Sequence, residues 1–318
     1  MTQYSTRAVR AITVVTNRHA GLGAGQAAAT AALARLRERG VEVAEVQAPS
    51  AAETVRLVRD SIERGNSDAV VCIGGDGLIN VTLAAVARTG VPLGLVPAGT
   101  GNDLARELGV PTEDPVAAAD IVVGGRVRTI DLGRIESAAP ESAPMWFVTV
   151  TGTGFDARVT LRANAMRWPR GRLRYTVAAL AEISGRLTVP YRVELTGAVT
   201  DGLTNPGIGS ELALNAVMVA VGNTRTYGGG MLICPDAVLD DGLLDLTVVG
   251  ALSRTEMLRL LPALSAGKRQ NHPEVRQYRA AEITLTAPGA PATADGEPAG
   301  VLPITIRAVP AALTVLVP

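Results

Sequence analysis

The sequence predicts an α/β protein of two domains, in which a parallel-sheet domain is followed by a β-rich, sandwich-like domain. The first hundred residues alternate apolar strand-like runs with Ala- and Leu-rich helical stretches, which is typical of a doubly wound sheet with helices on both faces. After about residue 126, strand-like runs follow one another with only two helical interruptions. The 318 residues, 47% of them hydrophobic, are enough for two buried cores.

The composition excludes several classes of function. Thirty basic and 30 acidic residues cancel, so we expect no nucleic-acid partner. The only lysine, Lys268, lies in neither a P-loop nor a protein-kinase motif. Cys72 and Cys234 lie in apolar runs and indicate reduced thiols in a cytoplasmic protein. No apolar run reaches the ~20 residues of a membrane helix, so membrane contact is expected to be peripheral, at the inner face.

Strands and helices alternate strictly in the first domain. Strands are predicted at residues 11–16, 41–46, 69–73 and 91–96, and helices at 24–39, 51–64, 78–88 and 104–108. Ligands of parallel sheets bind beyond the carboxyl ends of the strands. The loops 17–25, 74–77 and 97–103 are therefore predicted to form one binding site.

The strongest functional signal is the loop Gly74-Gly75-Asp76-Gly77, between an apolar strand and a helical pattern. Glycines let the backbone approach a ligand closely, and the N–H groups at a helix start suit a phosphate. A lone acid would repel that phosphate, so Asp76 indicates a shared cation such as Mg²⁺. The loop is predicted to bind a nucleotide with its metal.

The loop 97–103 adds a second glycine-rich turn at the same predicted edge. Thr100 could donate a hydrogen bond to a phosphate oxygen. Asn102 or Asp103 could cap the short helix that follows.

The second domain is predicted to consist mainly of strands. They are expected at 126–135, 146–151, 191–196, 212–221, 243–249, 281–286 and 302–309, with helical segments near 157–184 and 254–266. The predicted domains are 1–135 and 136–305, and the tail 306–318 could return to the first domain. Exposed sheet edges in the second domain would allow a homodimer.

Three acidic segments lie in the second half. Gly152–Asp156 ends a strand and could aim Asp156 toward a cleft. Residues 236–245 hold four carboxylates, and Asp241 with nearby carbonyl groups could bind a hard cation, although a solvated acidic turn is equally compatible with the spacing. Asp295 and Glu297 would face the same side of an extended strand, where one could accept a substrate proton. Their spacing alone favours a hairpin tip.

A cluster of arginines accompanies two aromatic residues between 158 and 175. Basic residues beside interfacial aromatics could dock on anionic lipid headgroups, but a solvated helical face is the favoured interpretation. The cluster comprises Arg158, Arg162, Arg167, Trp168, Arg170, Arg172, Arg174 and Tyr175.

Taken in order, these motifs resemble the diacylglycerol kinase catalytic-domain family, specifically the soluble bacterial lipid kinases related to sphingosine kinases. The likeness runs from about Val14 to the C-terminus. It rests on the segments Gly74–Gly77, Pro97–Asp103, Gly154–Asp156, Asp241–Leu244 and Asp295–Glu297.

The resemblance implies ATP- and Mg²⁺-dependent phosphorylation of a lipid hydroxyl, most simply of diacylglycerol to phosphatidic acid at a membrane surface. It implies ATP contacts from Asn17, Gly21, Gly74, Gly75, Asp76, Gly77, Leu78, Asn80, Gly99, Thr100, Asn102 and Asp103. It further implies a structural Mg²⁺ on Asp241 with the carbonyls of Val238 and Leu243. The catalytic acids would be Asp76, acting through Mg²⁺, and Asp295 or Glu297 as general base, with Glu297 preferred.

Two alternatives remain open from the sequence. One is an NAD kinase-like or other small-molecule kinase, because the Gly-Gly-Asp-Gly motif is shared with NAD kinases. The other is a nucleotide-gated lipid-binding protein without turnover, against which the Asp295–Glu297 segment argues because a pure binder needs no base.

Overall fold

The computed structural model describes residues 4–16, 24–137, 143–169, 171, 173–185, 187–199, 211–269 and 271–318. The chain divides into two compact units. Unit 1 comprises Met1–Leu132 and Pro310–Pro318, and unit 2 comprises Gly133–Val309. The predicted fold class is confirmed, with a parallel-sheet α/β unit followed by a β-sandwich-like unit.

Unit 1 is built around a parallel sheet. Its elements are β1 (Tyr4–Thr6), β2 (Ala11–Thr16), α1 (Ala24–Glu38), β3 (Glu42–Val46), α2 (Ala51–Glu63), β4 (Ala69–Gly74), α3 (Asp76–Val86), β5 (Leu93–Pro97), α4 (Asp103–Glu107), α5 (Pro115–Gly124) and the start of β6 (Arg126–Ser137). The order β5-β4-β2-β3 is parallel throughout. Every residue of β4 and β5 is buried, as expected for central strands covered on both faces.

Helix α5 was not predicted from the sequence, although its start signal is present. The Asp114 side chain accepts hydrogen bonds from the backbone N–H groups of Val116 and Ala117, and Pro115 occupies the first turn. An acidic cap followed by proline is a recognised helix start. The helix is apolar nearly throughout, so its sequence lacks the alternation of apolar and polar faces by which surface helices are recognised.

Unit 2 is dominated by antiparallel strands. Its elements are the end of β6, β7 (Met145–Phe147), β8 (Val150–Gly154), α6 (Phe155–Ala165), α7 (Leu173–Ile183), β9 (Val189–Thr196), β10 (Glu211–Gly222), β11 (Thr226–Tyr227), β12 (Met231–Leu232), β13 (Leu244–Gly250), α8 (Arg254–Ser265), β14 (Val275–Ala280), β15 (Glu282–Thr286), β16 (Pro291–Ala294), β17 (Glu297–Val301) and β18 (Ile304–Leu316). The last residues of β18 fall in unit 1, where Val315 pairs in parallel with Leu93 of β5.

The long strand β10 organises unit 2. Its first half pairs with β9, and its second half pairs with both β8 and β13 beyond a register shift between Ala216 and Met218. Strand β16 lies between β8 and β17, and β14 pairs with β13. The hairpin β16–β17 is therefore attached to the core through β8.

Several elements differ from the sequence predictions. Helix α3 begins at Asp76 rather than at residue 78, and the segment near 157–184 forms two helices, α6 and α7. Strands β14, β16 and β17 were not predicted, because their charged, Pro- and Gly-containing sequences lack a clear apolar alternation. In the described part of the chain, no helix is both long and apolar enough to span a bilayer.

Candidate active site

In unit 1, the two glycine-rich loops meet at the carboxyl ends of β4 and β5. Gly74 is in register with Pro97, so the two strands end at the same level. The following turns approach so closely that a Cβ atom on Gly99 would lie 2.5 Å from the Cα atom of Gly75. Real Cβ contacts are not that short, so neither backbone could remain in place with a side chain at Gly99.

The Asp76 side chain ties these two loops together. Its Oδ2 accepts a hydrogen bond of 2.7 Å from the backbone N–H of Asn102, and its Oδ1 accepts one of 3.0 Å from that of Asp103. Asp76 therefore supplies a negative charge at the start of α4, where helix N–H groups need acceptors. A Cβ atom on Gly101 would lie 2.3 Å from Oδ2, so this contact also requires glycine there.

Asn102 occupies the N-cap position of α4, one of the two expected positions, but the side-chain capping hydrogen bond that this position usually makes is missing. Asn102 adopts a left-handed backbone conformation and makes no side-chain cap. Its amide instead closes the preceding turn, since Oδ1 accepts from Gly99 N–H at 3.0 Å and Nδ2 donates to Gly99 O at 2.9 Å. The cap comes from Asp76, 26 positions earlier in the chain.

The predicted ATP-contacting residues of these loops are brought together at one edge. Gly74 ends β4, Asp76, Gly77, Leu78 and Asn80 lie in the first turns of α3, and Gly75 connects the two elements. Gly99 and Thr100 are exposed, whereas Asn102 and Asp103 are buried. Asn17 and Gly21, which were also predicted to contact ATP, lie outside the described residues.

In unit 2, the segment around Asp295 forms a two-residue hairpin. Ala294 pairs with Glu297, which leaves Asp295 and Gly296 as the turn, with φ angles of 50° and 84°. Positive φ at both central positions is typical of the tight hairpin turn that favours Asp-Gly. The hairpin interpretation is thus confirmed. The expectation of an extended backbone with both acids on one side is wrong, because the chain reverses between them.

The Asp295 carboxylate is fully engaged by the neighbouring turn. It accepts hydrogen bonds from the backbone N–H groups of Val148, at 3.0 Å, and Thr149, at 2.8 Å. The Thr149 hydroxyl donates a third, at 2.6 Å. On its other side, the same turn is held by Asn223, whose N–H donates to Thr149 O and whose Nδ2 donates to Val148 O. Asp295 thus fixes the hairpin to the β7–β8 turn.

Glu297 differs sharply from Asp295. It is exposed at the start of β17, one residue beyond the turn. The Asn164 side chain donates a hydrogen bond of 2.9 Å to Gly296 O and supports the hairpin between the two acids. The fixed backbone and the exposed carboxylate together suit Glu297, rather than Asp295, for proton exchange with a ligand.

The acidic segment 236–245 is largely paired with arginines. Arg269 donates to both carboxylate oxygens of Asp236, at 2.6 and 3.0 Å. Arg279 donates to Asp241 and lies 3.5 Å from Asp245. Burial raises the pKa of Asp245 to about 6, against the lowering effect of Arg279. The described residues contain no group of three or more Asp, Glu, His or Cys side chains arranged for a metal.

Asp156 is buried in the first turn of α6, so the expectation that it points into an open cleft is wrong. The Tyr227 hydroxyl donates a hydrogen bond of 2.6 Å to its Oδ1, while Oδ2 has no partner among the described residues. Oδ2 rests against Gly152, where a Cβ atom would lie 1.9 Å away. Burial raises the pKa of Asp156 from 3.8 to about 6, and the Tyr227 hydrogen bond opposes that shift.

Sequence reasoning missed several residues that shape these sites. Thr149, Asn223, Tyr227 and Arg279 each contact a predicted acid or the turn that holds one. In the sequence, the polar pair Asn223-Thr224 directly after an apolar run could have indicated that Asn223 has a specific hydrogen-bonding role. Arg279 gave none, because its strand was not predicted.

Comparison with known proteins agrees with this architecture. Residues 11–135 match the diacylglycerol kinase catalytic domain, and residues 149–317 match the YegS C-terminal NAD kinase beta sandwich-like domain. The two matches together define the class of two-domain lipid kinases. The chain belongs to the diacylglycerol kinase family and is a lipid kinase.

Individual relatives cover nearly the whole chain. It is 46% identical over 307 residues to a diacylglycerol kinase of Mycobacterium tuberculosis (strain ATCC 25618 / H37Rv), covering 96% of this chain and 95% of that protein. It is 32% identical over 298 residues to a protein named as a YegS-like lipid kinase from Xanthomonas oryzae pv. oryzae (strain MAFF 311018), covering 90% of each. A diacylglycerol kinase structure from Bacillus anthracis str. Sterne superposes with a TM-score of 0.71 at 21% identity over 97% of each chain, which shows a shared fold.

Proposed function

We propose that this lipid kinase transfers the γ-phosphate of ATP to the free hydroxyl of diacylglycerol and forms phosphatidic acid, with Mg²⁺ as cofactor. The observation that carries the proposal is the junction of the two glycine loops through Asp76. That junction fixes the start of α3 and the turn around Thr100 together, and helix-start N–H groups with a nearby hydroxyl are suited to phosphate. The substrate is inferred from the relative named diacylglycerol kinase, which covers almost the full length.

In this proposal, Glu297 is the general base. Phosphoryl transfer requires removal of the hydroxyl proton while the lipid oxygen bonds to the γ-phosphorus and the bond to ADP breaks. Asp295 is poorly suited to take that proton, because three donors already hold its carboxylate. Asp295 is instead a positioning residue that holds the hairpin carrying Glu297.

Two carboxylates fit the oxygen-rich coordination that Mg²⁺ prefers. Asp76 is proposed to hold the nucleotide-associated ion, and Asp241 with the carbonyls of Val238 and Leu243 a structural one. Asp241 Oδ1 already accepts from Leu243 N–H at 3.0 Å and Oδ2 accepts from Arg279, so an ion there would share this carboxylate with both donors. When bound, Mg²⁺ would neutralise charge on the phosphate oxygens.

The decisive assay follows label transfer from γ-labelled ATP into separate pools of diacylglycerol, sphingoid base and NAD, with Mg²⁺ or with a chelator. We expect Mg²⁺-dependent labelling of diacylglycerol. Labelling of NAD would support the small-molecule kinase instead, and ATP binding without labelling of any pool would support a non-catalytic lipid-binding protein.

Substitution of the proposed base gives the matched test. Glu297→Gln should lower kcat by about 10²–10⁴-fold, the usual contribution of general acid–base catalysis. The thermal unfolding midpoint should stay within about 1 °C of the unaltered protein, because the side chain is exposed. A Glu297→Gln variant with normal turnover would contradict the assignment of the base.

A further inference from the structure

The exposed apolar side chains of the described residues concentrate in one short segment of unit 2. Trp168 is 81% exposed, Leu173 58%, Leu180 55%, Val177 40% and Tyr175 37%. These five lie within 13 consecutive positions, on α7 and on the connection from α6. Single exposed apolar residues are ordinary on protein surfaces, but a contiguous group marks an interaction site.

Helix α7 carries apolar residues on two opposite faces. Ala178 and Ile183 are buried in the core beside α6, with Ala179 packed against the same cluster. Leu173, Val177 and Leu180 follow at spacings of four and three, which places them together on the outer face. One apolar face is enough to pack α7 against unit 2, so the second, exposed apolar face is available for another contact.

The sequence around this outer face is rich in basic residues. Between Ala163 and Ala181 the sequence contains four arginines (167, 170, 172 and 174) and no acidic residue. Arg167 is exposed, and the Arg174 guanidinium lies 5.0 Å from the ring centre of Tyr175. Arg158 and Arg162, in contrast, are both paired with Glu182, at 3.1 and 2.6 Å. Among the described arginines of the cluster, Arg167 next to Trp168 and Arg174 on α7 are therefore the ones that this surface can offer to a ligand.

We propose that Trp168 and the outer face of α7 form a docking surface for an anionic lipid bilayer. Tryptophan and leucine side chains would enter the boundary between headgroups and acyl chains, and Arg167 and Arg174 would contact acidic headgroups. The proposal rests on the lipid-kinase function, since a substrate that resides in a bilayer has to be reached there. It assigns to this surface a role distinct from phosphoryl transfer.

The test measures binding of the full chain to sedimented phosphatidylcholine vesicles in the absence of ATP. One set of vesicles contains phosphatidylcholine alone, and the other also contains roughly 30–40% phosphatidylglycerol. We expect binding only to the anionic vesicles. The double variant Trp168→Ala/Leu180→Ser should bind at least about tenfold more weakly. Arg167→Gln should weaken binding about fivefold in low salt and less at high salt.

A matched control replaces an exposed apolar and an exposed basic residue of unit 1, Val116→Ser/Arg64→Gln, and should leave vesicle binding unchanged. Equal vesicle binding by the Trp168/Leu180 variant and the unaltered protein would overturn the proposal. So would a dimer in solution that this variant abolishes while vesicle binding persists, because the surface would then cover a second copy.

A second readout separates docking from catalysis. With a short-chain diacylglycerol dissolved as monomers, the Trp168/Leu180 variant should retain full turnover, whereas turnover on vesicle-embedded diacylglycerol should fall with binding. Equal losses on both substrates would also overturn the proposal. If no diacylglycerol is phosphorylated by the unaltered protein, the proposed substrate fails while the vesicle-binding result still stands on its own.

Discussion

Two acids of unit 2, Asp295 and Asp156, both lie beside glycines and next to the same strand β8, yet they have opposite electrostatic surroundings. Asp295 accepts two backbone N–H groups and one hydroxyl. Asp156 accepts one hydroxyl, and its second oxygen is buried without a partner among the described residues. The first arrangement gives both carboxylate oxygens a donor, and the second leaves a buried oxygen unpaired and favours the neutral acid.

The difference teaches that a motif of acid and glycine does not determine what the acid does. Asp76 in unit 1 resembles Asp295, because it too collects the backbone N–H groups of a second loop. In both cases the charge joins two segments of backbone. At Asp156, protein folding has instead removed a carboxyl from water, which raises its pKa to about 6. Three substitutions break or sharpen this contrast.

The largest effect is expected from Asp295→Ala. Removing the carboxylate leaves three donors of the Val148–Thr149 turn without their acceptor, and hydrogen bonds to a charged group are individually worth about 1.5–3 kcal/mol. We expect the free energy of unfolding of unit 2 to fall by about 3 kcal/mol and its melting midpoint by about 6–12 °C. Thermal unfolding followed by circular dichroism measures both.

Glu297→Ala is the matched control, because it removes an exposed carboxylate only two positions from Asp295. It should lower turnover and leave the midpoint unchanged, whereas Asp295→Ala should lower both. If Asp295→Ala abolished turnover without any loss of stability, Asp295 would have to touch the reacting atoms, and its positioning role would be wrong.

A smaller effect of opposite sign is expected from Asp156→Asn. Because the folded-state pKa of Asp156 is raised from 3.8 to about 6, its contribution to stability is fully present below pH 4 and is lost as pH rises through 6. At pH 8 the folded protein bears an ionised, buried carboxylate. Asparagine removes this charge and should raise the free energy of unfolding by about 2–3 kcal/mol at pH 8.

The pH profile identifies the cause of that effect. The advantage of Asp156→Asn should shrink between pH 8 and pH 5, where aspartate regains its proton, and chemical unfolding at each pH measures it. Tyr227→Phe serves as the comparison, because it removes the hydrogen bond that favours the carboxylate and should destabilise most at high pH. A pH-independent difference between aspartate and asparagine would exclude burial of charge as the reason.

The contrast also shows how far the sequence could predict the site. The meeting of Asp76 with the loop 97–103 followed from topology, because parallel strands bring their carboxyl ends to one edge. The register of Gly74 with Pro97 bears out that reasoning. Local pattern and chain order were sufficient for the four parallel strands of unit 1 and the helices between them, but not for α5 or for the contacts at the start of α4.

Unit 2 was less predictable because its contacts join residues far apart in sequence. Asp295 and Thr149 are separated by 146 positions, and no periodicity links them. The ion pair of Asp241 with Arg279 depends on the pairing of β14 with β13, and the charged pattern of β14 concealed that strand. In an antiparallel sheet, many different strand orders are compatible with the same set of strands. The sequence therefore predicted the core strands of unit 2 but not which strands pair with each other.

The smallest effect is expected from Thr149→Val, which tests one hydrogen bond of the Asp295 turn. The substitution preserves side-chain shape and both backbone N–H donors, and removes only the hydroxyl that donates to Asp295 at 2.6 Å. We expect the free energy of unfolding to fall by about 1 kcal/mol, since two of three donors remain. Thr149→Ser keeps the hydroxyl and should lose less. A loss as large as that of Asp295→Ala would show that the hydroxyl, rather than the backbone, holds the hairpin, and would move the positioning role from Asp295 to Thr149.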